Sequence, residues 1–240
     1  MIKLLLLALS GAKLAKVFAS GGTMLISLVV YAFVFGWRYA AGFIALLFAH
    51  EMGHYLAARQ RGLAVGLPTF IPFVGAWIDL KEQPRDVETE AYVALAGPLH
   101  GTVAAIAGYL AADDGGPRWL MAVAYSGFFL NLFNLLPISP LDGGRVTAVL
   151  SPRIWFVGVP LLAAMFVWQP NPMLLLIGLL AAPQLVKAWK YDPKAPENQS
   201  YYTIASRRRL EYLGLYFGLA LYLAFMAYRT HALIATGGPR

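Results

Sequence analysis

Apolar stretches recur along this chain at a length and density that favour lipid over water. Runs at 23–37, 39–49, 91–112, 119–136, 154–168 and 173–189 follow one another with few interruptions by charge. A hydrocarbon core of about 30 Å is crossed by about 20 helical residues, a length these runs reach once their semi-polar flanks are counted. Only 13% of the 240 residues are charged and 59% are hydrophobic, whereas a soluble domain carries roughly a quarter charged residues. The chain is expected to be an all-α polytopic membrane protein with about six to seven transmembrane helices. Candidate spans lie at 22–36, 37–61, 88–112, 117–137, 144–168, 171–190 and 208–230. The first is short, and Ser151-Pro152 interrupts the fifth, so either could reduce the count to six.

Charge supplies the orientation. The net charge of +7 could suggest nucleic acid, but in a membrane protein Lys and Arg collect in cytoplasmic loops. With the N-terminus inside, fifteen of the nineteen Lys and Arg fall on the cytoplasmic side, leaving only Arg38, Arg118, Arg229 and Arg240 outside. No nucleic-acid partner is expected, and the lipid bilayer is. Residues 1–20 space Lys3, Lys13 and Lys16 among leucines and alanines, which reads as an interfacial amphipathic segment. A cleaved signal peptide is the competing reading. The polar stretch 192–206 reads as a linker, and 208–230 as a C-terminal helix.

Residues 63–80, LAVGLPTFIPFVGAWIDL, are apolar yet contain Gly66, Pro68, Pro72 and Gly75. Such composition opposes a helix and predicts a membrane-associated strand pair or hairpin near 63–83. Extended backbone survives at membrane depth only when buried in protein or lining a wet cavity.

The chemistry concentrates in His50-Glu51-Met52-Gly53-His54, within FIALLFAHEMGHYLAARQRG. Helical geometry sets residues four apart on one face, so both imidazoles can reach one ion. Glu51, beside the first ligand, is placed to act as catalytic base toward water. The absence of cysteine leaves imidazoles and carboxylates as ligands. Three ionisable residues within five positions of an apolar span need a compensating partner, and a dication serves. A polar cluster joining helices, or a proton relay, is the competing reading.

A hydrolytic zinc site needs a third protein ligand and an open position. Asp142, in NLFNLLPISPLDGGRV, is the best candidate, because Pro137 and Pro140 break the helix ahead of it. An N-cap role for the helix after Gly143-Gly144 is also open to it. The orientation brings His50, His54 and Asp142 to a similar depth in the cytoplasmic half. Asp79, Glu82, Asp86, Glu88 and Glu90, among Lys81 and Arg85, read as a solvated face. Asn131 and Asn134 are amides in an apolar helix; each serves either to hold helices together or to bind substrate or an oxyanion. His100, between small residues in AGPLHG, reads as a packing histidine ahead of a hydrogen-bond partner to the ligands.

HEMGH in the second span, the strand-like segment after it, AGPLHG in the third and NLFNLLPISPLDGGR beyond resemble, in order, the site-2 protease family. That resemblance implies one zinc ion per chain held by His50, His54 and Asp142, with Glu51 as base and Asn134 near the substrate. It implies a transmembrane protein as substrate, and a single membrane-embedded metalloprotease domain over 1–240 with its catalytic core at about 37–150. The position of His100 is often asparagine in that family, so no role transfers there. Several subgroups carry a PDZ or CBS domain, and no stretch here is long enough for either. The expected setting is a bacterial or archaeal plasma membrane with a cytoplasmic N-terminus. A non-catalytic membrane binding protein of the same fold and a metal transporter are the alternatives.

Overall fold

The computed structural model describes residues 2–236, with side chains from residue 19 onward. The order is α1 (Ile2–Phe35), α2 (Trp37–Gln60), β1 (Thr69–Ile71), β2 (Gly75–Trp77), α3 (Val87–Asp113), α4 (Arg118–Asn134), α5 (Asp142–Thr147), α6 (Trp155–Trp168), α7 (Pro172–Trp189), α8 (Pro196–Tyr202) and α9 (Ser206–Ala235). Among the described residues, α3, α7 and α9 are long and apolar enough to cross a membrane, and Ala19–Phe35 and Pro152–Trp168 are shorter apolar helices. Phe33, Val103, Leu179 and Leu221 are each at least 68% exposed, as side chains that face lipid would be.

α1 runs unbroken through Gly21-Gly22, and the amphipathic reading of 1–20 rests on side chains that lie almost wholly outside those described. Two sequence expectations change. The stretch 144–168 does not form one helix. Ser151 Oγ accepts from the Arg153 amide at 3.2 Å and Pro152 opens a 3-10 turn, so the chain restarts at α6. The linker 192–206 also holds the short helix α8, with Pro196 at its start, where a missing N–H is harmless.

α3 is the innermost of the three long apolar helices, 56% buried over its apolar window against 22% for α7 and 33% for α9. Asp86 caps it, accepting from the Thr89 amide at 2.7 Å. Its alanines Ala91, Ala94 and Ala105 are fully buried, and small residues let helices approach closely. Gly127 of α4 does the same: a Cβ there would stand 2.9 Å from both Ala105 and Leu46, at the junction of α2, α3 and α4.

The hairpin forms within the predicted segment. β1 and β2 pair antiparallel with Phe70 opposite Ala76, and an isolated bridge joins Val65 to Leu80. Hydroxyls of α1 line the outer edge of β1. Ser20 donates to the Pro68 carbonyl (2.5 Å), Thr23 accepts from the Phe70 amide (3.2 Å), and Tyr31 accepts from the Phe73 amide (3.0 Å). Because the Phe70 amide points outward, Phe70 and Ala76 form a pair without mutual hydrogen bonds, and the Ala76 peptide groups also point outward. They face the edge that α1 leaves open, where Gly75, Ala76, Trp77 and Ile78 line a cavity.

Gly127→Val is expected to destabilise the protein by about 1–3 kcal/mol through overpacking, measured by unfolding in detergent micelles. Wild-type stability would contradict the three-helix junction.

Candidate metal centre

α2 carries His50, Glu51 and His54 toward α3 and α5, and all three are buried. His50 Nε2 and His54 Nε2 lie 3.1 Å apart. Asp142 Oδ2, arriving from α5, is 3.2 Å from the first and 3.3 Å from the second. Among the described residues these three form the group whose ligand atoms could hold one metal ion.

The triangle tests that fit. Three nitrogen or oxygen ligands at about 2.0–2.1 Å around a tetrahedral centre stand about 3.3 Å apart, which the observed edges match. Protons sharpen the point. His54 Nδ1 donates to the Val93 carbonyl at 2.8 Å; a carbonyl only accepts, so in the neutral ring Nε2 presents a lone pair. His50 Nδ1 lies 2.8 Å from Asn131 Oδ1. Acceptor atoms thus converge on one point, an arrangement that a cation at their centre relieves.

Close backbone approaches hold the ligands there. A Cβ on Gly97 of α3 would fall on the His54 imidazole, and one on Gly53 would fall on the Ala96 carbonyl. Pro98 lacks an N–H, so α3 is missing the ladder bond to the Ala94 carbonyl, next to Val93. On the Asp142 side the loop from α4 folds back over α5: a Cβ on Gly143 would overlap the Leu135 carbonyl, and one on Gly144 the Ile138 backbone. Tyr216 donates to the Leu135 carbonyl at 2.5 Å and Trp155 Nε1 to the Gly144 carbonyl at 2.7 Å. Asp142 does not cap α5; Leu141 holds that position without a side-chain bond.

A cavity of about 570 Å³ opens over the triad, lined by His50, Glu51, His54 and Asp142 together with the β2 edge, Phe43, Tyr125, Phe129 and residues of α7. Glu51 is 5% exposed, and the Ile78 backbone faces its carboxylate. Asn134 also lines the cavity. Its Nδ2 donates to the Leu130 carbonyl at 3.2 Å, and its carbonyl oxygen has no partner among the described residues. Asn131 sits 1% exposed behind His50 rather than on the cavity. His100 is not brought to the triad; Nδ1 donates within its own helix to the Ala96 carbonyl at 2.8 Å.

The expected solvated face is only partly so. Asp79 pairs with Lys81 at an exposed site, but Glu90 joins a half-buried network. Its carboxylate accepts from Arg145 Nε at 3.2 Å and from the Tyr201 hydroxyl at 2.6 Å. Burial and the Glu90 carboxylate push the Tyr201 phenol above its usual range, so it stays a donor. Arg145 lies three residues past Asp142 and lines the cavity. A run of mixed charge carries no signal for such a network, because its members come from α3, α5 and α8.

A profile of peptidase family M50 matches residues 38–116. Rip3 of Mycobacterium tuberculosis is 34% identical over 131 residues, covering 48% of this chain and 32% of that protein. MJ0392 of Methanocaldococcus jannaschii is 28% identical over 138 residues, covering 55% and 40%. EGY1, a chloroplast protein of Arabidopsis thaliana, is 26% identical over 153 residues, covering 44% and 28%. Each carries "zinc metalloprotease" in its name. The chain spans well under half the length of these relatives.

Gly97→Ala is expected to weaken metal binding roughly tenfold or more by displacing the His54 ring. Gly108→Ala, whose Cβ would meet Ala124 at an ordinary 3.8 Å, should leave it unchanged. Metal content after dialysis against a graded chelator series distinguishes the two outcomes.

Proposed function

We propose that this chain, whose residues 38–116 match peptidase family M50, is an intramembrane zinc metalloendopeptidase of the site-2 protease kind. Its substrates would be membrane proteins cut within or next to a transmembrane segment. The observation that carries this reading is the near-equilateral triangle of His50 Nε2, His54 Nε2 and Asp142 Oδ2, with Glu51 lining the same cavity. We read six or seven helices as crossing the bilayer, with the N-terminus cytoplasmic and a bacterial or archaeal plasma membrane as host.

His50, His54 and Asp142 would hold one zinc ion. Zinc in such a site supplies Lewis-acid polarisation of a carbonyl and lowers the pKa of water toward about 7. The remaining work falls to the chain's own groups. Glu51, beside the first ligand, takes the proton from the attacking water and returns it to the leaving amine. Asn134, with a free carboxamide oxygen in the cavity, hydrogen-bonds the backbone of the substrate. The apolar and aromatic walls exclude bulk water.

A transmembrane helix hides its peptide bonds in its own hydrogen bonds, so it must unwind before it can be cut. The hairpin is suited to receive the unwound segment by strand addition. Of its two edges, β1 is covered by Ser20, Thr23 and Tyr31 of α1, which leaves β2. There Ala76 offers both backbone groups, and Ile78, two residues on, lies against Glu51. A segment paired with Ala76 would therefore lead its next peptide groups toward the base.

Two variants test the proposal in a co-expressed membrane reporter. Glu51→Gln should lower cleavage roughly a hundredfold or more while the protein keeps its metal; undiminished product would overturn the base assignment. Ala76→Pro should sharply reduce cleavage with metal content unchanged, and Ala76→Gly should not. Equal cleavage by the proline variant would remove β2 from the substrate path.

A further inference from the structure

Asn131, eleven residues ahead of Asp142, makes a buried 2.8 Å contact to a proposed ligand, His50. We infer that Asn131 is a positioning residue for His50: it fixes the imidazole tautomer that turns Nε2 toward the metal. This rests on the zinc reading above.

The carboxamide could in principle meet Nδ1 with either end, so its own second bond decides the matter. Asn131 Nδ2 lies 2.7 Å from the Gly127 carbonyl, one turn back on α4. A carbonyl accepts only, so the amino group must be the end that faces Gly127. Oδ1 is then the atom 2.8 Å from His50 Nδ1, and an amide oxygen accepts only. His50 Nδ1 must carry the proton, and Nε2 is left with its lone pair toward His54 and Asp142. The neutral ring cannot take the opposite tautomer without placing a lone pair against Oδ1 in a site that is 1% exposed. His54 receives the same instruction from the Val93 carbonyl. Two different acceptors, on α4 and α3, set both rings alike.

α3 leaves the room for this. A Cβ on Gly101 would overlap Oδ1, Nδ2 and Cγ of Asn131 at once. The glycine is a means of moving the carboxamide without changing it. An amide rather than a carboxylate at this position also adds no further negative charge to a centre that already holds Asp142 and Glu51.

The test reads metal affinity and ligand field in purified protein, with no need for a substrate. Zinc affinity is measured by chelator competition, and cobalt-substituted protein is examined by its visible absorption. Asn131→Leu and, separately, Gly101→Ala should each weaken zinc roughly ten- to a hundredfold and alter the cobalt spectrum, with helical circular dichroism retained. Asn131→Asp, which keeps an acceptor for His50 Nδ1, should bind zinc more tightly than Asn131→Leu; equal weakening in the two would count against the inference. Gly101→Ala added to Asn131→Ala should cost nothing further, because the group it displaces is gone. Wild-type affinity and spectrum in a folded Asn131→Leu or Gly101→Ala protein would overturn the inference, as would full additivity in the double variant. Should Asn131→Leu not fold, Gly101→Ala and its cycle decide alone. Wild-type protein that takes up no zinc would instead overturn the reading of the site itself.

Discussion

Three acceptor atoms meet at one buried point, and the surrounding architecture makes sense as the means of holding them there. His50 and His54 come from one helical face, which is local geometry. Asp142 has to be delivered from the far side of the bundle, and that demands an unwound chain. The loop 135–141 performs the delivery, and Gly143 and Gly144 admit it because no side chain could stand where the Leu135 and Ile138 backbones pass. Tyr216 then ties the unwound Leu135 carbonyl to α9, and Trp155, at the start of α6, bonds the Gly144 carbonyl of α5. Irregular backbone in a membrane protein is stable only when its polar groups are so satisfied.

The same logic explains the composition of α3. Gly97, Gly101 and a row of alanines bring α3 so close to α2 and α4 that side chains of those helices fill the space its own would occupy. His54 takes the place of a Cβ at Gly97, and Asn131 that at Gly101. The small residues of AGPLHG thus act less as generic packing than as a mould around the imidazoles and their acceptors. His100, the polar member of that motif, turns back into its own helix.

Much of this was legible before any coordinates. The four-residue spacing of the histidines, the paired prolines ahead of Asp142 and the Pro/Gly-rich apolar stretch each state a backbone geometry directly. The break at Ser151-Pro152 was legible too, but whether it ended the helix was not, since prolines such as Pro98 and Pro160 remain inside helices here. What stayed hidden comes from tertiary crossing. Val93 and His54 are 39 residues apart, and Asn131 and His50 are 81 apart. No periodicity within one helix reports which carbonyl or amide its neighbour will present. Glu90 is hidden likewise, because a mixed charge run looks the same whether its members face water or bridge α5 to α8. The edge of the hairpin left open depends on the Ser20, Thr23 and Tyr31 hydroxyls of α1, whose positions in an apolar helix do not say which strand they will meet.

The central claim concerns what occupies the convergence of His50, His54 and Asp142. X-ray absorption at the zinc edge, on protein purified in detergent, addresses it most directly. The account predicts one zinc per chain, with two imidazole nitrogens and a carboxylate oxygen at about 2.0–2.2 Å, and loss of the oxygen contribution in Asp142→Ala. A protein without zinc, or a coordination shell that Asp142→Ala leaves unaltered, would contradict it.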